Sequence, residues 1–139
     1  MKSQILLRAA SALTLAHALL NSFAGLLSGT SKSQEEVSLL NAMKALHFDA
    51  MGSLRTYWDF YFGFGLFLTV NLLLLSALMW QLASLVKAEP EMARPFVGLL
   101  CFAFLGFAVL SWLYFFFAPV VIEGIIALLL GLAFASARR

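Results

Sequence analysis

Four stretches of this chain hold almost no charge, and each is long enough to cross a bilayer. A helix rises about 1.5 Å per residue, so about 20 apolar residues span a hydrocarbon core about 30 Å thick. The stretches are about residues 5–28, 57–86, 96–117 and 118–137. No small water-soluble core accommodates them. The chain has 139 residues, of which 63% are hydrophobic and 12% charged, against about 45–50% and about 25% in a soluble domain. A small domain also keeps a large share of its surface exposed. The expected fold class is therefore all-α: an integral membrane four-helix bundle, with residues 1–139 forming one transmembrane domain.

The last two stretches run together except for Pro119. A single helix there would be about 60 Å long, twice what a bilayer needs. Proline suits the first turn of a new helix, where its missing N–H has no intrahelical partner. The pattern predicts a tight hairpin at residues 117–119; one kinked, steeply tilted helix is the alternative. The segment between the second and third spans, with Lys87, Glu89, Glu91 and Arg94, reads as a solvated loop closed by Pro90 and Pro95.

Orientation follows the distribution of Lys and Arg in short loops. With four spans, Lys2, Arg8, Lys87, Arg94, Arg138 and Arg139 share one side, and Lys32, Lys44 and Arg55 the other. The bias places both termini in the cytoplasm, with the protein in a cell membrane, expected to be a bacterial inner membrane. Tyr57, Trp58 and Tyr61 then anchor the second span at the outer interface, and Trp80 lies toward its inner end. A cleaved signal peptide is the competing reading of the N-terminus, because Ala16-His17-Ala18 resembles a cleavage site. Apolar sequence continuing to Leu27 argues for a retained span.

The first loop is the main polar stretch. Ser33-Gln34-Glu35-Glu36 fits a capping box, in which the two end side chains satisfy backbone N–H groups at a helix start. Leu40, Met43, His47, Ala50, Met51 and Leu54 then recur at helical spacing, and Gly52 is a plausible stop. The reading is a short amphipathic helix over about residues 34–52, with His47 turned toward the bundle.

Polar residues within apolar spans mark the candidate site, since they need partners in hydrocarbon. Thr14, His17, Asn21 and Ser28 share one face of the first span, and Gly25 and Gly29 form a G-x-x-x-G pattern that admits close helix approach. Asp59 opens the second span, where it either caps the helix or faces a ligand; Gly63 leaves room beside it. Asn71 and Ser76 lie deeper. Glu123 lies inside the fourth span, where a lone carboxylate is costly unless it meets a partner or a cavity. His47, Arg55 or one of the tyrosines would serve. Candidate ligand-binding residues are thus His17, Asn21, His47, Arg55, Asp59, Tyr61 and Glu123.

Several classes of function are disfavoured. Net charge is only +2, so no nucleic-acid partner is expected. The single cysteine, Cys101, forms no internal disulfide, and no spacing fits a metal site. No cofactor and no catalytic motif is identified. Three readings stay open. One is a module binding a small lipophilic molecule, with Gly98, Gly106, Gly124 and Gly131 shaping the pocket. Another is a structural or accessory subunit of a membrane complex or homo-oligomer. The last is an acid–base enzyme, isomerase-like, acting on a lipophilic substrate.

The stretch Tyr57-Trp58-Asp59-Phe60-Tyr61-Phe62-Gly63, following a loop that contains His47, resembles small four-span bacterial membrane proteins of unassigned function. That resemblance implies the membrane plan and no activity. The plan of four spans with intramembrane acids is also similar to sterol-isomerase and sigma-2-receptor-like membrane domains, a likeness of architecture from which no residue role follows.

Overall fold

A computed structural model of the chain describes residues 2–23 and 33–137. The Gly25–Gly29 pattern, Ser28, Lys32, Arg138 and Arg139 lie outside them. The elements are α1 (Lys2–Leu20), α2 (Gln34–Ala45), β1 (His47–Ala50), β2 (Ser53–Thr56), α3 (Tyr57–Ala88), α4 (Pro90–Tyr114) and α5 (Phe117–Ser136). The fold is helical. Four helices are long and apolar enough to cross a membrane: Lys2–Phe23, Tyr57–Ala88, Pro90–Tyr114 and Phe117–Ser136. At 32 residues, α3 is about 48 Å long, so its ends reach past a hydrocarbon core of about 30 Å.

The chain divides into two compact units, Met1–Ala18 with Asn71–Arg139, and Leu19–Val70. The first is a four-helix bundle. Its apolar core draws Leu7 and Ala10 from α1, Met79 and Ala83 from α3, Val97 and Phe104 from α4, and Ile126 and Leu130 from α5. Cleavage after Ala18 would strip Leu7 and Ala10 from this core. Close packing and interhelical hydrogen bonds join the helices, the two contributions that count most for helices apolar enough to lie in lipid. Small residues serve the first need: Ala10, Ala83, Ala93 and Ala133 are fully buried. Serines serve the second. Ser11 Oγ donates to the Ser76 carbonyl at 2.8 Å, and Ser76 Oγ donates to the Ser11 carbonyl at 2.9 Å. Ser3 Oγ reaches Ser136 Oγ at 3.4 Å near the ends of α1 and α5.

The helical hairpin exists, with its break two residues earlier than expected. Phe115 caps α4 and Phe116 precedes α5. Pro119 is then the third residue of α5, still among the positions whose N–H has no partner within a helix. The two helices pack along their length: Cys101 Sγ donates to the Ala127 carbonyl at 3.4 Å, and the Arg94 guanidinium lies 4.4 Å from the centre of the Phe134 ring. Gly98 makes room for that ring, since a Cβ there would stand 3.1 Å from it. The expected loop between Pro90 and Pro95 is a correction. α4 begins at Pro90, and Pro95 lies inside it. A proline removes one rung of the backbone ladder, a loss that membrane helices tolerate.

The second unit corrects the loop reading more deeply. Ser33 does cap α2, with the reciprocal bonds to Glu36 of a capping box. The helix ends at Ala45, however, and residues 47–56 form an antiparallel β-hairpin in which His47 pairs with Thr56 and Phe48 with Arg55. Met51 and Gly52 turn the chain with φ of 54° and 85°. Positive φ at both positions is the signature of the two-residue turn whose twist matches paired strands. Asp49 Oδ1 accepts from the Gly52 N–H at 2.7 Å, fixing the turn. Gly52 is thus a hairpin turn residue and not a helix stop. His47 is exposed on β1 and does not belong to a buried helical stripe.

Candidate functional site

The residues singled out from sequence divide between the units. His17 and Glu123 belong to the bundle; Asn21, His47, Arg55, Asp59 and Tyr61 belong to the unit Leu19–Val70.

In the bundle, polarity gathers at one level. The Ser3–Ser136 contact ties α1 and α5 near one end. His17 follows Ser3 by fourteen residues, and Glu123 precedes Ser136 by thirteen. Their heights above that contact are about 21 Å and about 20 Å. Asn71, five residues before the Ser76 clasp, reaches about the same height on α3. Ser111 of α4 joins the level through a hydrogen bond with the Glu123 side chain. Each helix therefore brings one polar side chain to a common height. Thr14, one turn below His17, turns its hydroxyl onto the Ala10 carbonyl at 2.8 Å. Below Glu123, Ile126 is fully buried.

Two atoms of this level lack partners. His17 and Glu123 are only 7% and 5% exposed, and His17 Nδ1 and Glu123 Oε2 make no hydrogen bond among the described residues. Buried polar atoms are rarely left so. A neutral imidazole offers one donor and one acceptor, and a carboxyl group accepts or, when protonated, donates. Each of the two groups has the chemistry to meet a hydroxyl or carbonyl group.

The side chain that meets Glu123 is Ser111, in place of the expected His47, Arg55 or tyrosine. Ser111 does not stand out in the sequence, because a lone serine in an apolar helix is common. A signal did exist. Ser111 and Glu123 both lie within two turns of the α4–α5 break, so an antiparallel hairpin brings them close.

In the other unit, α3 begins with a second reciprocal cap. Asp59 Oδ2 accepts from the Thr56 N–H at 2.8 Å, and Thr56 Oγ1 accepts from the Asp59 N–H at 3.1 Å. Asp59 therefore acts as a helix cap, and a carboxylate there also complements the helix dipole. The hairpin sets Phe48 against Tyr57 and Phe60, with ring centres 4.9 and 5.3 Å apart. Lys44 lies over Trp58, 4.9 Å from the ring centre, and Tyr61 lies against the same ring at 5.6 Å. Asn21 is tied to α3: its Nδ2 donates to the Gly65 carbonyl at 3.1 Å and to Thr69 Oγ1 at 2.9 Å. Thr69, which also accepts from Ser22 Oγ at 3.1 Å, was not foreseen.

Of this group, Arg55 and Asp59 come together. With Phe60, Gly63, Phe64 and Phe67 they line an open groove of about 300 Å³. Nothing lies within 4 Å of where a Gly63 Cβ would stand, so the glycine leaves the groove open. A second hollow, of about 420 Å³, is lined by Glu91, Arg94, Pro95 and Phe134. Neither includes His17 or Glu123. Among the described residues no three His, Cys, Asp or Glu side chains converge in a way that could hold a metal ion. The chain matches no family model, no curated protein and no solved structure.

Proposed function

We propose that the chain is a multi-pass membrane protein that binds a small lipophilic molecule through one polar group, at the level of His17 and Glu123. The observation that carries this is the pair of buried, unpartnered atoms, His17 Nδ1 and Glu123 Oε2, above an apolar core. Their unmet hydrogen-bonding capacity favours a molecule with a hydroxyl or carbonyl head and an apolar body: an isoprenoid, a quinone or a sterol-like compound. The Lys/Arg distribution supports cytoplasmic termini, which puts this level in the outer half of the bundle. The likeness of the Tyr57–Gly63 stretch to small four-span bacterial proteins supports a bacterial inner membrane.

The test is native mass spectrometry of neutral lipophilic molecules that co-purify with the full chain in mild detergent. A defined species should accompany the wild type and be depleted about tenfold or more in Glu123→Gln, since losing a bond to a buried charged or strongly polar group is costly. Wild-type occupancy in both Glu123→Gln and His17→Ala would refute the reading.

The same pair favours a second reading. A donor and an acceptor at one depth are what acid–base isomerisation of a lipophilic substrate requires. Turnover in deuterated water would then leave deuterium on a carbon of the recovered molecule. Recovery of the molecule without label would count against catalysis and leave binding intact.

A further inference from the structure

The groove on the unit Leu19–Val70 includes neither His17 nor Glu123 in its lining, and its chemistry changes along its length in a definite order. At one end stand a cation and an anion, Arg55 and Asp59; along the rest run Phe60, Gly63, Phe64 and Phe67. The last four repeat at three- and four-residue spacing, so they form one face of α3, and they extend it by about 10 Å. Among the described residues no ion pair joins the two, although the charges of Arg55 and His47 both act on the Asp59 carboxylate. The Arg55 hydrogen bond goes to the neighbouring Leu54 carbonyl at 3.2 Å, and Asp59 uses Oδ2 for the Thr56 N–H. Among the described residues, most guanidinium donors and one carboxylate oxygen are left for a ligand. Tyr57, Trp58 and Tyr61 occupy the same turns, and such aromatic residues favour the headgroup level of a bilayer.

We infer that this groove is a binding site for a zwitterionic phospholipid bearing a primary ammonium, with Arg55 on its phosphate, Asp59 on its ammonium and one acyl chain along Phe60, Gly63, Phe64 and Phe67. The order of chemistry matches that molecule from head to tail. Guanidinium and phosphate pair through paired N–H donors. The carboxylate, an acceptor, suits a group with three N–H donors and is poorly matched to a quaternary ammonium, which has none. An anionic glycerol headgroup would meet Arg55 but offers Asp59 only neutral hydroxyl donors, without the charge of an ammonium. Gly63 keeps the acyl path clear, because the space before it is empty to 4 Å.

The experiment places the full chain in nanodiscs of equal parts phosphatidylethanolamine, phosphatidylcholine and phosphatidylglycerol. The lipids that stay bound after transfer to detergent are then quantified. Phosphatidylethanolamine should be enriched about threefold or more over each of the others, the scale of a partly solvated ion pair. Asp59→Asn keeps a side-chain oxygen for the Thr56 cap, so it should fold; it should abolish the preference for ethanolamine over choline. At Gly63 a Cβ meets nothing within 4 Å, so Gly63→Leu should project into the groove and reduce retention of all three lipids. Circular dichroism and gel filtration confirm that both variants remain folded. An ethanolamine preference that survives Asp59→Asn, or retention unchanged by Gly63→Leu, would overturn the proposal. So would equal retention of the three lipids by the wild type. None of these results bears on the Glu123-dependent molecule, whose loss or retention is read separately.

Discussion

Ser11 and Ser76 show what single buried residues contribute between apolar helices. Each hydroxyl donates to the other's backbone carbonyl, and the two oxygens lie 3.2 Å apart. The pair clasps α1 to α3 through groups that were already bonded within their own helices. Measured couplings of this kind in membrane bundles average about 0.6 kcal/mol and reach about 2 kcal/mol. A double-mutant cycle with Ser11→Ala and Ser76→Ala should therefore show coupling in that range in a reversible unfolding titration in detergent. A cycle pairing Ser11→Ala with the distant Ser136→Ala should show none. Additive losses in the first cycle would mean the clasp adds nothing beyond the two helices. Residues of this size were the hardest to read in advance. The cost of Glu123 in hydrocarbon is intrinsic to its carboxyl group, so its need for a partner was legible. Ser11, Ser111 and Thr69 can bond back to their own helix at little cost. Only the pairing of helices reveals which of them reach across.

At the scale of elements, the β-hairpin is the clearest departure from expectation, and its turn gives it a testable weakness. Met51 holds φ of 54°, a conformation that costs an ordinary L-residue about 1–2 kcal/mol and asparagine less. Met51 is fully exposed, so the side chain offers little in return. Met51→Asn should stabilise the hairpin by about 1 kcal/mol and slow amide hydrogen exchange on β1 and β2 by about fivefold. Faster exchange would show that the turn is not of the type described. The hairpin was misread for a physical reason. Four-residue strands are too short for a period of two to outweigh a period of 3.6. Met-Gly also lacks the asparagine or aspartate that usually announces such a turn. Asp49 supplies that function two residues earlier. The four long helices were legible because length and apolarity alone specify them. Their ends were less so: Pro95 reads as a boundary in sequence, yet it lies within α4.

For the whole molecule, the open question is the direction in which the helices enter the membrane, and the positions of the cations make it decidable. Arg8 lies 5.0 Å from the centre of the Trp80 ring, and Arg94 packs on Phe134. Both arginines are thus held against aromatic faces in the bundle unit, where long stems can reach an interface while their rings stay in lipid. Lys87 closes α3 at one end, and Arg55 precedes its other end. With Lys2, the cations at the Lys87 end outnumber those at the Arg55 end, which holds Lys44 as well. The bias predicts that the Lys87 end faces the cytoplasm. Two single-cysteine chains test it, each made on a Cys101→Ala background. Met51 and Glu89 are both exposed, so Met51→Cys and Glu89→Cys should be equally reactive once the membrane is opened. In intact spheroplasts, a membrane-impermeant maleimide should label Met51→Cys alone. Labelling of Glu89→Cys alone would invert the topology and move the His17–Glu123 level to the cytoplasmic half. Labelling of both from one side would mean that α3 does not cross. The same experiment decides which leaflet's lipids reach the Arg55–Asp59 groove, because Met51 lies in the hairpin that precedes it.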